Sequence, residues 1–178
     1  MGSTDAPDGR RILVVGCGGA GKSTFARRLA NALSLPVIHL DVHYWRPGWQ
    51  DPDGKEWGAQ VATLAAAPEW IMDGNFSNTF DIRMPRADTL IWLDYSRSTC
   101  MRRVLWRTLT GYGRSRPDLP KGCPEQFDLT FLRYVWSFPS KHRPRIVSAI
   151  DRFGGHLRVF RLERDSDADA LLAAAGRT

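Results

Sequence analysis

Five short apolar stretches along the chain predict the strands of a sheet. They cover residues 11–15, 36–40, 70–74, 89–94 and 157–162. The first four are almost continuously hydrophobic, which is typical of strands that are covered on both faces in a parallel sheet. The fifth carries Arg158 and Arg161, so we expect it at an edge of the sheet.

Between the strands, apolar residues recur at the spacing of amphipathic helices. Phe25, Leu29 and Leu33 stand four residues apart and predict a helix over 22–33 that ends at Ser34. Four more helices are predicted at 56–67, 97–109, 128–138 and 167–175. Strands that alternate with helices in this way indicate βαβ crossovers, and therefore an α/β fold with a helix-covered parallel sheet.

Local signals mark the ends of two of these helices. Asp53 is followed three residues later by Glu56, which is the spacing of a capping box. Pro68 and Pro139 are expected to stop the second and fourth helices, because proline lacks an N–H and disfavours helical backbone before it.

The overall composition indicates the class of protein. With 178 residues, 43% hydrophobic and 25% charged, the chain suits one globular domain, which we place at residues 11–178 after a flexible tail at 1–10.

No apolar run approaches the roughly 20 residues that span a bilayer, and the opening residues lack the apolar centre of a signal peptide. Three cysteines without C-x-x-C spacing argue against disulfides and structural zinc. We expect a cytoplasmic protein with no membrane partner, and the oligomeric state stays open.

The net charge of +6 predicts an anionic partner. Most of the positive residues are arginines, whose planar guanidinium groups bind phosphates and carboxylates through paired hydrogen bonds. Nucleic acid and a nucleotide ligand both fit this charge.

The residues after the first strand carry the most specific motif. Residues 16–23, "GCGGAGKS", satisfy G-x-x-x-x-G-K-[ST] between a predicted strand and a predicted helix. Glycines let the backbone turn with positive φ and bring its N–H groups close to a phosphate chain, and the helix N-terminus adds further donors. We therefore expect a nucleotide site formed by Gly16, Gly18, Gly19, Ala20, Gly21, Lys22, Ser23 and Thr24. Lys22 is expected to reach the β and γ phosphates, Ser23 to ligate Mg²⁺, and Thr24 to face the α phosphate.

Two carboxylates are predicted at the carboxyl ends of neighbouring strands, where ligands bind in open α/β sheets. Asp41 follows the second strand, and Asp73, with Asn75 just beyond it, ends the third. One carboxylate is expected to hold Mg²⁺ through water and the other to orient or deprotonate an acceptor hydroxyl. The pattern leaves open which does which, and each alone also fits a helix cap or a turn.

Aromatic residues crowd the segment after Asp41. They are Tyr44, Trp45, Trp49 and Trp57. They suit an aromatic wall for a ring-bearing acceptor, and for the last two a small satellite core under a helix fits equally well.

Six arginines and no acidic residue stand between Arg97 and Arg116. Arg103 and Arg107 lie four residues apart on one face of the predicted helix. Arg114 and Arg116 follow glycines that suit a hinge, so residues 107–127 are predicted to form a mobile phosphate-binding lid. A solvated basic helix is the alternative.

These features together resemble the adenylate-kinase-like branch of P-loop kinases, which includes nucleotide, shikimate and gluconate kinases. The resemblance is closer still to the DNA topology modulation proteins. It runs over about residues 11–162 and is carried by "LPVIHLDVHYWRPGW", "DGNFSNT", "ADTLIWLD", "GRSRPD" and "GCPEQFDLTFLRYVWSF".

The resemblance implies a five-stranded parallel sheet in the order 2-3-1-4-5, ATP and Mg²⁺ as cofactors, and an acceptor-binding region at 42–83. It also implies that Arg103 stacks on the adenine and that three further arginines contact phosphates: Arg107, Arg114 and Arg116. Adenylate kinases carry Gly-Phe/Tyr-Pro-Arg after the third strand, whereas this chain has Asp-Gly-Asn-Phe at 73–76 and Arg83 further on. Their full nucleoside-monophosphate insertion is also missing, which argues against AMP as the acceptor.

Two functions follow as hypotheses. The first is a kinase that moves the γ-phosphoryl group of ATP to a small acceptor, either nucleoside- or nucleotide-like or a small hydroxylated metabolite. In it, Lys22 and the arginines Arg107, Arg114 and Arg116 stabilise charge, and Asp41 positions or deprotonates the acceptor. The acceptor is expected to be held by Asp41, Tyr44, Trp45, Asp73, Asn75 and Arg83. The second is an ATP-binding regulator associated with nucleic acid, which only the positive charge supports, because the chain lacks helix-turn-helix, zinc-finger and aromatic RNA-binding motifs.

Overall fold

The computed structural model describes Pro7, residues 9–111, Gly113 and residues 127–177. Most of the predicted tail and most of the predicted lid, with Arg114 and Arg116, therefore lie outside the described residues.

Five parallel strands form the central sheet, in the order β2-β3-β1-β4-β5. They are β1 (Arg11–Gly16), β2 (Val37–His39), β3 (Trp70–Asp73), β4 (Thr89–Leu93) and β5 (Arg158–Leu162). The predicted α/β class, the parallel sheet and the strand order are thus confirmed. The last strand lies at the edge, as its two arginines predicted.

Burial along the strands explains their sequence patterns. Nearly every residue of β1, β3 and β4 is buried, because helices cover both faces of the sheet. In β5, only Phe160 and Leu162 are buried, and Val159 and Arg161, which alternate with them along the strand, are exposed. A continuous apolar run therefore marks an inner strand here, and alternation marks the edge.

Eight α-helices surround the sheet within the described part of the chain. They are α1 (Lys22–Leu33), α2 (Leu40–Tyr44), α3 (Gly54–Ala65), α4 (Phe80–Arg83), α5 (Arg97–Gly111), α6 (Leu129–Lys141), α7 (Arg143–Phe153) and α8 (Asp165–Ala175). The prediction for α1 is confirmed at both ends, and Ser34 caps it with a φ of 54°. The sequence did not predict α2, α4 or α7.

The prediction that Pro139 stops the fourth helix is wrong, because α6 continues through it to Lys141. A proline has no N–H to donate to the carbonyl four residues back, which belongs to Val135. The thiol of Cys17 donates to that carbonyl instead, at 3.8 Å. The helix tolerates the proline because another element supplies a donor.

The predicted capping box of the second helix forms only in part. Asp53 caps α3 by accepting a hydrogen bond from Lys55 N at 2.7 Å. Glu56 does not reach back to the cap, since its carboxylate pairs with Arg46 at 2.8 Å. The helix also begins at Gly54 and ends at Ala65, two residues earlier at each end than the predicted span.

The described residues share one hydrophobic core between the sheet and its helices. Its largest buried side chains include Trp57, Trp70 and Phe80. Among the residues described, no helix is both long and apolar enough to cross a membrane.

Candidate nucleotide and acceptor site

The glycine-rich loop joins β1 to α1 at the carboxyl end of the sheet. Ala20 N donates to Cys17 O at 3.1 Å, and Phe25 N donates to Gly21 O at 2.9 Å, which starts the helix. Lys22 Nζ lies over the loop and donates to Cys17 O at 3.1 Å. The loop thus lies between a strand and a helix, as the motif predicted, and Lys22 contacts the backbone of the loop.

Two glycines of this loop leave no room for a side chain. Gly16 has a φ of 145°, and a Cβ there would collide with Leu93 O. Gly19 has a φ of 82°, and its Cβ would lie 2.5 Å from Cys100 O. Positive φ and close backbone approach both require glycine, so strand β4 and helix α5 fix the loop from behind.

Asn75, expected to hold an acceptor, instead holds the start of the loop. Its Oδ1 accepts from Gly16 N at 2.9 Å, and its Nδ2 donates to Gly16 O at 2.7 Å. The same Nδ2 donates to the phenol oxygen of Tyr134 at 2.8 Å. Burial raises the pKa of Tyr134, so this phenol stays protonated.

Arg83, also expected to hold an acceptor, is fully buried. Its guanidinium donates to Thr79 Oγ1 at 3.0 Å and to the carbonyls of residues 74–76. Burial lowers the pKa of Arg83 to about 9, against the raising effect of the Asp73 charge, so it remains charged at neutral pH. In this structure Arg83 organises the loop after β3 from inside and has no exposed surface.

Asp73 ends β3 and is buried between its two neighbouring strands. It pairs in register with Val14 of β1 and with His39 of β2. The ring Nδ1 of His39 lies 2.9 Å from Asp73 Oδ2. Asp73 Oδ1 is buried and has no hydrogen-bond partner among the described residues, which is unusual for a carboxylate oxygen.

Asp41 lies in the first turn of α2 rather than at a strand tip. Strand β2 ends at His39, and the backbone turns at once into the helix, where Trp45 N donates to Asp41 O at 3.1 Å. The side chain of Asp41 is partly exposed, whereas Asp73 is buried. Asp73 therefore ends a strand and Asp41 follows the neighbouring strand, and the two carboxylates lie in different environments.

The aromatic segment divides into a core and a surface part. Trp57 is buried and packs with Tyr44 and Phe76, with ring centroids between 4.7 and 5.0 Å apart. Burial raises the pKa of Tyr44, and a hydrogen bond to Asp51 adds to it. Trp45 and Trp49 contact each other edge to face at 5.4 Å and stay partly exposed.

Arg103 contacts a residue that the sequence did not single out. Its Nη2 lies 2.6 Å from Asp165 Oδ2 at the start of α8, and its guanidinium lies 5.2 Å from the Tyr95 ring centre. The hydrogen bond from Arg103 lowers the pKa of Asp165. Burial, together with the Asp165 charge, raises the pKa of Tyr95 to about 12. The acidic stretch "DSDAD" at 165–169 was the feature of the sequence from which a partner for Arg103 could have been predicted.

The remaining predicted positions are placed only in part. Arg107 of α5 lies over the Phe131 ring of α6 at 5.7 Å. Ser23 and Thr24 lie in the first turn of α1. Within the described ranges no group of three or more His, Cys, Asp or Glu residues is placed to hold a metal ion, so a metal here would rely on Ser23 and single carboxylates.

Comparisons with known proteins place the chain near small-molecule kinases. No family model matches it. A shikimate kinase of Corynebacterium diphtheriae is 29% identical over 126 residues, which cover 64% of this chain and 69% of that protein. The crystal structure of a gluconokinase from Sinorhizobium meliloti 1021 has a TM-score of 0.50 at 17% identity, covering 93% of this chain and 91% of that one. At that identity the structural likeness shows the shared fold alone. Neither protein is named for DNA topology modulation, so that resemblance stays a prediction.

Proposed function

We propose that this protein is an ATP- and Mg²⁺-dependent kinase that transfers the γ-phosphoryl group to a hydroxyl of a small molecule. One observation carries the proposal: the loop at 16–23 joins β1 to α1, is fixed by Asn75, and has Lys22 folded over it. Similarity to a shikimate kinase supports the same reaction class. We place the protein in a reducing cytoplasm, in which the buried Cys17 and Cys100 remain free thiols.

The loop would bind the phosphates through its backbone N–H groups and the N-terminus of α1. Lys22 would exchange the carbonyl of Cys17 for the β and γ phosphates. A positioned ammonium group of this kind stabilises negative charge on the transferring phosphoryl group.

The oxygen donors at this edge of the sheet fit Mg²⁺, which prefers oxygen ligands and keeps several waters. Ser23 offers a hydroxyl in the first turn of α1. The buried Oδ1 of Asp73, which has no partner among the described residues, would be satisfied by a metal-bound water. An ion held by these oxygens would supply positive charge against the phosphates.

Asp41 is the residue that we propose to orient or deprotonate the acceptor hydroxyl. It is partly exposed beyond β2, whereas Asp73 is buried and bonded to His39. Tyr44 and Trp45 end the same short helix or follow it and would flank the acceptor. Asn75 and Arg83 would act as positioning residues that hold the loops on which this geometry depends.

The arginines of α5 and of the segment after it would serve the nucleotide. Arg103 would exchange Asp165 for the nucleotide base, and Arg107 would join Arg114 and Arg116 in binding phosphates. The acceptor that we propose is nucleoside- or nucleotide-like or a small hydroxylated metabolite. Its identity depends on the pocket formed by residues 42–83.

The proposal is tested by measuring ADP release with a panel of nucleosides, nucleotides, sugars and hydroxy acids. One class of acceptor should raise ATP turnover, and Lys22→Ala should lower kcat by about 100-fold or more. Lys141→Ala, at the end of α6, removes a lysine distant in sequence from the loop and should leave turnover unchanged.

The competing hypothesis, an ATP-binding regulator associated with nucleic acid, predicts a different result. DNA rather than any small acceptor would then stimulate ATP turnover. DNA affinity would also fall linearly with salt on a log-log plot, because bound DNA releases counterions. The absence of ATP binding in calorimetry would remove both functions.

A further inference from the structure

The outer faces of α5 and α6 expose an unusual set of large apolar side chains. Trp106 is 69% exposed, Leu109 78% and Trp136 60%. With Met101 and Leu105, these side chains line a groove of about 810 Å³ that is open to solvent. Large exposed apolar patches on a soluble domain mark sites where another molecule binds.

The groove belongs to neither the nucleotide site nor the core. The face of α5 that packs inward carries Cys100, Val104 and Thr108, and Gly19 of the loop contacts that inner face. Residues 101, 105 and 109 repeat at four-residue steps on a different face. The apolar groove is therefore a second, outward surface of the same helix.

The rim of the groove is positively charged. Arg97 and Arg102 line it, and the Arg97 guanidinium lies over the Trp136 ring at 4.7 Å. Neither α5 nor α6 contains an acidic residue. An apolar floor rich in tryptophan with an arginine rim has the composition of a protein-binding surface.

We propose that this groove binds an acidic amphipathic helix of a partner protein. An apolar ridge of such a helix fills a groove between two helices, with anchors at i, i+4 and i+7. Carboxylates beside the ridge complement the arginine rim. A second copy of the chain docking symmetrically through the same face would bring arginine rims together, and a flat lipid surface does not fill a groove.

The test uses a fluorescein-labelled synthetic helix with leucine and phenylalanine on one face and glutamate elsewhere. Its matched control peptide keeps the apolar residues and replaces every glutamate by lysine. The full chain should bind the acidic peptide, with the lysine peptide at least about tenfold weaker in fluorescence anisotropy. Trp106→Ser should weaken binding at least about tenfold, as expected for a tryptophan at a binding hot spot, and Arg102→Glu should weaken it as well.

Val147→Ser is the control variant, because Val147 on α7 is also an exposed apolar residue and should leave peptide binding unchanged. Equal binding of the two peptides, or no binding of the acidic one, overturns the proposal.

Loss of a wild-type dimer in Trp106→Ser assigns the groove to a second copy, and groove-dependent binding to phosphatidylserine vesicles without peptide binding assigns it to lipid. Peptide binding that emerges only when residues 114–126 are replaced by a Gly-Ser linker assigns it to the chain's own connection.

Discussion

Asn75 holds Gly16 through both ends of its side-chain amide. The amide oxygen accepts from Gly16 N at 2.9 Å, and the amide nitrogen donates to Gly16 O at 2.7 Å. The loop after β3 is thereby joined to the first residue of the glycine-rich loop, and the proposed acceptor side of the site is connected to its proposed nucleotide side.

Replacing Asn75 by alanine should weaken both the fold and nucleotide binding. The change leaves the buried N–H and C=O of Gly16 without this partner, and an unsatisfied buried polar group costs about 1–3 kcal/mol. We expect a lower free energy of unfolding in urea and a higher KM for ATP. Asn78→Ala, three residues away and exposed, is the control, and an equal effect there would contradict the role of the amide.

Gly16→Ala should destabilise the protein more than Gly21→Ala. Both glycines have positive φ, 145° at Gly16 and 90° at Gly21, so each alanine adds backbone strain of about 1–3 kcal/mol. A Cβ at Gly16 also meets Leu93 O, whereas a Cβ at Gly21 meets nothing within 4 Å. The collision with β4 adds to the strain at Gly16 alone, so the thermal midpoint should fall further in Gly16→Ala, and equal midpoints in the two variants would contradict the prediction.

Arg103→Ala should raise the KM for ATP while changing the free energy of unfolding little. The pair with Asp165 is largely exposed on the carboxylate side, and pairs of this kind contribute about 1 kcal/mol or less. The control is the ion pair between Arg28 and Asp169, whose nitrogen and oxygen lie 3.0 Å apart, because its carboxylate also belongs to α8. Arg28→Ala should leave the KM for ATP unchanged, and a parallel rise in both variants would point to general loss of positive charge.

Asp41→Asn should lower kcat by about 100-fold or more if the carboxylate acts on the acceptor hydroxyl. Binding of ADP, measured by calorimetry, should be preserved because Asp41 lies on α2 and not in the glycine-rich loop. Asp81→Asn, an exposed position on α4, is the control. A variant of Asp41 with full kcat would transfer the role to another group.

Stability should fall as the pH falls from 7.5 to 5. Burial lowers the pKa of His142, with Arg145 and Lys141 adding to the effect, and burial also lowers the pKa of His43. Each unfolded histidine, with its ordinary pKa of 6.5, then binds more protons than the folded one. The contribution of each histidine to the free energy of unfolding is therefore fully present above pH 6.5 and is lost progressively below it. The slope is at most about 1.4 kcal/mol per pH unit for each group.

His142→Phe should reduce this fall, because it keeps a ring against Tyr134 and Phe138, whose centroids lie 4.6 and 5.7 Å away. The measurement is urea unfolding at several pH values. Asp88 and Asp165 have lowered pKa values and titrate below this range, so they do not contribute. An unchanged slope in the variant would assign the pH dependence elsewhere.

Strands and the first helix could be predicted because their signals are local. The run at 12–15 is buried on both faces and is wholly apolar. Helix α1 has a single buried stripe, and the helix begins at the motif and ends before Ser34. Helix α7 was missed because only Ile146 and Ala149 are fully buried on it, so its apolar stripe is short and its exposed residues dominate the pattern.

The roles of Asn75 and Arg83 could not be predicted from their positions. The sequence predicted that both residues lie in the acceptor-binding region after β3, and the backbone does place them in the segments that follow β3. Which way each side chain points depends on Gly16, Tyr134 and the carbonyls of 74–76, which only the folded chain brings together. The partner of Arg103 lies 62 residues away, and no local pattern carries such a pairing.

The proline inside α6 gives that helix a connection to the glycine-rich loop. Because Pro139 has no N–H to donate to the carbonyl of Val135, the thiol of Cys17 donates to that carbonyl instead. Gly18 packs against the same helix. Because Trp136 is the very next residue, a molecule bound at the outer surface of α6 would be separated from the glycine-rich loop by this one helix alone.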